Sequence, residues 1–202
     1  MMKKILCSLF ALMLLLSGRA ANAQDSRARM DKWSTALHYV PTVADAALPL
    51  LGAKADRDYV DVLLTIGGAQ VADIILTQTC KYAFKEVRPD GSDSHSFFSG
   101  HTSRAFVGAE VIRMEFGNGW GAGAYAVATT TGVLRVASGK HHWWDCAAGA
   151  GIGIACAHIG DCLQPTFRRW WNGIFGCSAD IAFTPAVDPL SGVPCASVSI
   201  CF

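Results

Sequence analysis

The 202-residue chain has no excess of basic charge, no C-x-x-C pair, no internal repeat and no long Pro, Gly or Ser linker. Seventeen Lys and Arg stand against 16 Asp and Glu, a formal charge of +1, so the electrostatic footprint of a nucleic-acid binder is missing. Without C-x-x-C spacing the usual zinc signature is missing too, and only Cys146 falls at ligand spacing from His141 and His142. Without repeats or linkers the chain reads as one domain, long enough for one buried core. Each stretch that invites a membrane-spanning reading is interrupted by polar residues, dominated by small ones, or short. Tyr59 to Leu64 carries Asp61, Gly67 to Leu76 carries Gln70 and Asp73, Trp120 to Val133 is mostly Gly, Ala and Thr, and Ala147 to Ala157 is short. A soluble or membrane-peripheral protein is expected over an integral one.

The amino terminus has its own logic. Lys3 and Lys4 precede an apolar run from Ile5 to Leu16, and Ala21-Asn22-Ala23 offers the small-x-small pattern of a cleavage site. Residues 1–23 read as a secretory signal peptide, with export to the periplasm and a single domain over 24–202. The run is too short to span roughly 30 Å of hydrocarbon, and Cys7 lies inside it instead of at its end, against a lipoprotein. Losing Lys3, Lys4 and Arg19 leaves 14 basic and 16 acidic side chains, a charge near −2. Seven cysteines remain: Cys80, Cys146, Cys156, Cys162, Cys177, Cys195 and Cys201. In an oxidising compartment some are expected to pair, and the odd number leaves at least one over.

Apolar residues recur at helical spacing over Trp33–Leu51, Tyr59–Phe84, Thr102–Phe116, Trp120–Ala137 and Trp144–Ile159, with breaks at Gly117-Asn118-Gly119 and Ser138-Gly139. After Cys162 the pattern alternates over Ile181–Thr184 and Val193–Cys201, like a hairpin around Asp188-Pro189. The expected class is all-α, a helical bundle with a short extended C-terminal tail.

Three clusters stand out. Lys81 and Arg88 are two helical turns apart, and Pro89 forces Arg88 out of the helix, so two cations are expected to converge at a helix exit. Arg offers a planar fork to phosphate oxygens, and Lys a mobile point charge. Ser99 is a plausible N-cap, Gly100 has no Cβ to block a ligand, and the free N–H groups that follow suit an anion. His101, added there, is able to donate a proton to a departing oxygen. In the third cluster Arg135 ends a helix, His141 follows in the loop, and Asp145 stands four residues later. A carboxylate at that offset is able to accept the Nδ1 proton of His141, leaving Nε2 as a nucleophile. His142, three residues from Asp145, fits less well.

Lys81-x6-Arg88-Pro89, Phe98-Ser99-Gly100-His101 and Leu134-Arg135-x5-His141-x3-Asp145 resemble the three signature motifs of the type 2 phosphatidic acid phosphatase and vanadium haloperoxidase superfamily. The resemblance covers about 81–159. Phe98 stands where proline is usual, and Leu134 where serine is usual. It implies an all-helical bundle with its site at one end, and phosphoryl oxygens held by Lys81, Arg88, Arg135, Ser99 and the Gly100 backbone. It further implies attack by His141 to form a phosphohistidine, proton handling by His101, and no metal or other cofactor. The expected activity is hydrolysis of phosphomonoesters or lipid-linked phosphates and diphosphates. The implied partners are a phosphorylated small molecule or lipid and a membrane surface contacted from outside. A vanadate-dependent haloperoxidase and a non-catalytic phosphate- or lipid-binding protein are the alternatives. Phe97, Phe98, Trp143 and Trp144 suit either a lipid chain or packing.

Overall fold

A computed structural model describes residues 23–175, 180–187 and 194–201. The expected signal peptide up to residue 22, Cys177 and the Asp188-Pro189 turn lie outside them. Six α-helices run α1 (Ala23–Leu37), α2 (Tyr39–Ala47), α3 (Tyr59–Ala83), α4 (Gly100–Phe116), α5 (Asn118–Ala137) and α6 (Trp143–Phe175). A 3-10 turn at Pro49–Leu51 follows α2, and strands β1 (Asp180–Val187) and β2 (Pro194–Cys201) follow α6. The strands pair antiparallel with Ile181 opposite Ile200 and Phe183 opposite Val198. The chain is therefore an all-helical bundle with an extended carboxyl-terminal tail.

The bundle is built around α4, which is buried on nearly every side. Ala105, Ala109 and Ile112 pack with Leu48, Ala124 and Ala128, while Val107 and Val111 pack with Ile66, Ala69, Cys156 and Ala157. One helix is thus clasped by α2 and α5 on one side and by α3 and α6 on the other. Small residues permit the close approach. A Cβ on Gly108 would stand 2.7 Å from the Thr42 nitrogen, and one on Gly149 would stand 2.7 Å from the Ser99 carbonyl oxygen. Polar ties lock the half of α4 away from its N-terminus. Glu110 binds Arg113 at 2.6 Å and the Tyr125 hydroxyl at 2.5 Å, while buried Glu115 pairs with Arg57, itself 2.7 Å from Asp161.

Two helices differ from the periodicity. The stretch expected from Trp33 to Leu51 breaks at His38, and α1 starts ten residues before it in a polar sequence that joins the bundle through Asp31 and Ser34. The helix expected to stop near Ile159 continues through Pro165 to Phe175. Beyond Ile159 it is held to α3 by Gln164 and Arg168, which reach Asp61 at 2.5 and 3.2 Å. Cys80, Cys146, Cys156 and Cys162 are free thiols.

The bundle exposes much apolar surface. Outward positions of α3 are Leu63, Val71, Ile74, Ile75, Leu76 and Tyr82, and α6 presents Trp143, Trp144, Ile159, Leu163, Trp170 and Phe175. Both helices are long and apolar enough to cross a bilayer by length and composition. Asp73, which counts against a membrane face in the linear sequence, is fully buried and bonded to Ser103.

Candidate active site

The motif residues meet at the N-terminal end of α4. Ser99 caps that helix in extended conformation, its Oγ accepting from the Thr102 N–H at 3.5 Å and the Thr102 hydroxyl at 3.0 Å. The Ser99 hydroxyl also meets the Cys146 thiol, and the N–H groups of Gly100 and His101, in the first turn, have no intrahelical acceptor. The turn is tied to α6 by the Ser99 N–H, which donates to the Asp145 carbonyl at 3.1 Å. Behind it, a Cβ on Gly100 would stand 3.0 Å from Thr77 Cγ2 on α3, so the turn sits tightly against its neighbour. An anion at this helix start would meet aligned N–H groups and the positive end of the dipole.

His141 lies just before α6 with 1% exposure, whereas His142 stacks on Trp144 with ring centroids 4.4 Å apart. The acceptor nearest the His141 Nδ1 is the Ser96 carbonyl at 2.9 Å; the Asp145 Oδ2 stands at 3.7 Å. A carbonyl only accepts, so Nδ1 carries the proton and Nε2 keeps its lone pair. The tautomer is the one the spacing suggested, but the hydrogen bond comes from the backbone of the preceding loop. Asp145, fully buried, is fixed by the Ser96 hydroxyl at 2.5 Å and the His142 N–H at 2.9 Å. It supplies negative charge beside the ring without bonding to it.

The cations arrive from three elements. Lys81 is in the last turn of α3, which ends at Ala83. Arg88 therefore reaches the site from a loop and not from two turns of one helix. That loop is braced: the Arg88 N–H donates to the Asp93 carbonyl at 3.0 Å, its guanidinium pairs with the Asp93 carboxylate at 2.8 Å, and Asp90 pairs with Lys140 at 2.7 Å. Arg135, in the last turn of α5, is almost completely buried. Burial and the charges of this cluster shift Lys81, His141 and His101. Burial, then Arg88, Arg104 and Arg135, lowers the Lys81 pKa. Burial, then Arg135 and Arg88, pushes His141 down to about 3, with Asp145 opposing. Burial, then Arg135, His38 and Arg104, pushes His101 down to about 2. Without a bound anion both histidines are neutral at physiological pH.

Residues outside the three clusters join them. Ser96 positions both His141 and Asp145. Arg104, one turn after Gly100, acts on His101 and Lys81 and pairs with Asp73 at 3.7 Å. Asp31 and Ser34 reach Arg135 from α1. His38 places its ring edge against His101, with centroids 4.5 Å apart. Ser96 and Arg104 are legible as polar neighbours of the Ser-Gly-His run; nothing local marks Asp31 or His38. Glu86, His142 and Asp145 bring three metal-type donor atoms within 4.8 Å of one another. As they stand, the imidazole of His142 lies between two carboxylates, at 3.5 Å from Glu86 and 3.4 Å from Asp145.

A cleft lined by Ala83, Phe84, Lys85, Glu86 and Phe97 opens beside the Lys81 end of the site. Phe98, where the motif usually has proline, is fully buried, and Leu134 is buried beside Arg135.

The chain is similar to known proteins in sequence and in fold. The lipid A 1-phosphatase of Porphyromonas gingivalis is 36% identical over 83 residues, which cover 40% of this chain and 19% of that protein. The chain thus matches only a minor part of that relative's length. The crystal structure of Aquifex aeolicus LpxE superposes with a TM-score of 0.55 at 22% identity, covering 75% of this chain and 93% of that one. A transmembrane PAP2-type phosphatidylglycerolphosphate phosphatase from Bacillus subtilis gives 0.50 at 21% identity, covering 81% and 98%. Both likenesses speak to the fold. The family model described as the PAP2 superfamily matches residues 59–169, a span of more than half the chain that takes in every motif residue from Lys81 to Asp145, and the chain belongs to that superfamily, the type 2 phosphatidic acid phosphatases.

Proposed function

We propose that this protein is an exported, metal-independent phosphatase that removes phosphate from lipid-linked phosphates or other phosphomonoesters through a phosphohistidine on His141. The observation that carries the reading is the His141 Nδ1 against the Ser96 carbonyl, which leaves a neutral ring with a free Nε2 beside Lys81, Arg88 and Arg135. In the first step the Nε2 lone pair attacks phosphorus, the P–O bond to the leaving group breaks, and His101 gives that oxygen a proton. In the second, neutral His101 takes a proton from water, the hydroxide attacks phosphorus, and the P–N bond breaks to release phosphate and restore His141. Fixed cations, the Ser99 hydroxyl and the first N–H groups of α4 stabilise the phosphoryl oxygens, the task a metal performs in kinases.

A lipid-linked substrate is supported by the likeness to a lipid A 1-phosphatase and by the cleft from Ala83 to Phe97, whose Phe84 and Phe97 rings pack 5.4 Å apart. The apolar side chains that α3 and α6 turn outward suit a protein that works against a membrane surface. The decisive test is phosphate release by the 24–202 protein in EDTA, from a phosphatidate in detergent and from p-nitrophenyl phosphate, beside His141→Ala. Turnover that survives EDTA and disappears in the folded variant, with an acid-labile phosphohistidine trapped by rapid quench, is the expected result. Unimpaired His141→Ala would remove this histidine from the mechanism, and vanadate-dependent bromide oxidation without phosphate release would favour the haloperoxidase reading.

A further inference from the structure

The family match begins at residue 59, yet three side chains from before it reach the proposed phosphate site. Asp31, on α1, pairs with the Arg135 Nη1, and the Ser34 hydroxyl lies 3.4 Å from the same nitrogen. The Arg135 Nε is buried and has no hydrogen-bond partner among the described residues. In a guanidinium the Nε–H and the adjacent Nη2–H point the same way and form one fork, with Nη1 outside it. Asp31 therefore grips the nitrogen that this fork does not use, and fixes the plane of the group. A carboxylate acting as a competitor for the anion would lie across the fork.

His38, at the break between α1 and α2, has 2% exposure and lies edge-on to His101 at an interplanar angle of 74°. Neither of its ring nitrogens has a hydrogen bond of ordinary geometry, although the Ser34 and Thr35 backbones lie close enough to favour its charged form. A buried imidazole without good partners is costly for stability alone. Its ring faces the proposed acid instead: His38 packs between Tyr39, with centroids 3.7 Å apart, and His101.

We infer that the 31–38 segment completes the active site, Asp31 as the positioning residue that turns the Nε–Nη2 fork of Arg135 toward the phosphoryl oxygens and His38 as the positioning residue that fixes the His101 ring. The inference rests on the phosphatase reading above, and its test separates the two. Full-length mature protein is compared with Asp31→Asn, Asp31→Glu, His38→Leu and His38→Phe for steady-state phosphate release, with inorganic phosphate binding followed by calorimetry.

Asp31→Asn should weaken phosphate binding and raise KM about tenfold with kcat changed less than about threefold, and Asp31→Glu should recover much of the loss. His38→Leu should lower kcat about tenfold at nearly constant KM, and His38→Phe, which keeps a ring against His101, should restore most of it. Rescue by the conservative variants distinguishes positioning from a failure to fold. Unchanged or tighter phosphate binding in Asp31→Asn would overturn the role of Asp31, and unchanged kcat in His38→Leu that of His38. Absence of turnover in the wild type would instead sink the phosphatase reading, with phosphate binding still deciding the role of Asp31.

Discussion

Asp145→Asn isolates a charge from a shape. The Asp145 Oδ2 accepts from both the Ser96 hydroxyl and the His142 N–H, and an amide oxygen in the same place keeps both bonds. What the substitution deletes is the negative charge 3.7 Å from the His141 Nδ1. In the resting site that charge faces a neutral imidazole, because burial and the neighbouring arginines hold the His141 pKa down to about 3. In the proposed mechanism it matters when Nε2 bonds to phosphorus and the ring becomes cationic. A full unit charge at this separation interacts by about 4 kcal/mol at an effective dielectric near 20. With about half the charge developed at the transition state, the loss is about 2 kcal/mol, or about 30-fold in kcat. KM should change by less than about twofold, since Asp145 is placed to touch no phosphate oxygen. Steady-state kinetics with the rapid-quench yield of phosphohistidine measures both quantities. A kcat within about threefold of wild type would refute the electrostatic argument, as would a KM rising as much as kcat falls.

Other substitutions probe the supports. Ser96→Ala removes the shorter of two bonds to buried Asp145 while leaving the carbonyl that receives the His141 proton, so kcat should fall about tenfold, less than in Asp145→Asn; an equal or larger fall would mean that the hydroxyl does more than orient the carboxylate. Arg88→Lys should cost about 10- to 100-fold in kcat/KM, because Arg88 spends its Nε on Asp93 and keeps terminal nitrogens for the ligand, whereas one ammonium must choose; wild-type turnover would remove Arg88 from phosphate binding. Gly149→Ala presses a methyl group onto the Ser99 carbonyl beneath the site turn and should lower Tm by several degrees along with activity; an unchanged melting curve would show that the α4–α6 contact yields easily. Burial and nearby cations disfavour the protonated forms of His101 and His141, so both rings should stay neutral by 15N NMR as pH falls from 7 to about 5, and titration of either near 6.5 would contradict the cation cluster.

How far the sequence carried depended on whether a feature was local. Helices with one solvated face announce themselves by periodicity, and α5 and the start of α6 do so. The central α4 is enclosed by four helices, so its apolar residues fall on all sides, and only its Ser99 cap and the Gly117 break mark its limits. The end of α6 was hidden for the opposite reason. Its helical continuation past Ile159 is held by Asp61, about a hundred residues earlier, and Pro165 in isolation signals a stop. In the site, Lys81, Arg88, Ser99, Gly100, His101, Arg135 and His141 were all legible because each chemistry-bearing residue sits in a short spaced run. The partner of the His141 Nδ1 was not. An i, i+4 carboxylate is the natural candidate in a linear pattern, and a backbone carbonyl 45 residues back leaves no trace in side-chain spacing. Asp31 and His38 were invisible on the same ground, since what makes them members of the site is the docking of α1 against α5 and α4.

The charge pattern explains how a site with so depressed an acid would still perform acid catalysis. Burial, reinforced by Arg135, His38 and Arg104 at His101 and by Arg135, Arg88 and Lys81 at His141, holds both rings neutral when no anion is present. For His141 this is the state the proposed attack needs, and the burial and cations that lower its basicity also keep it free of protons. For His101 it is the wrong state for the proposed first step, which needs a proton to give. A dianionic phosphate placed among the cations would offset their share of the His101 depression, and its negative charge a few ångströms from the ring would work against the share that burial contributes. Substrate binding would thus load the acid, and departure of phosphate would discharge it. Addition of inorganic phosphate should raise the His101 pKa by more than one unit while leaving that of His141 less affected, because His141 has Asp145 beside it already. A phosphate-bound His101 that stays neutral at pH 6 would mean that the proton for the leaving group comes from another residue or from the substrate itself.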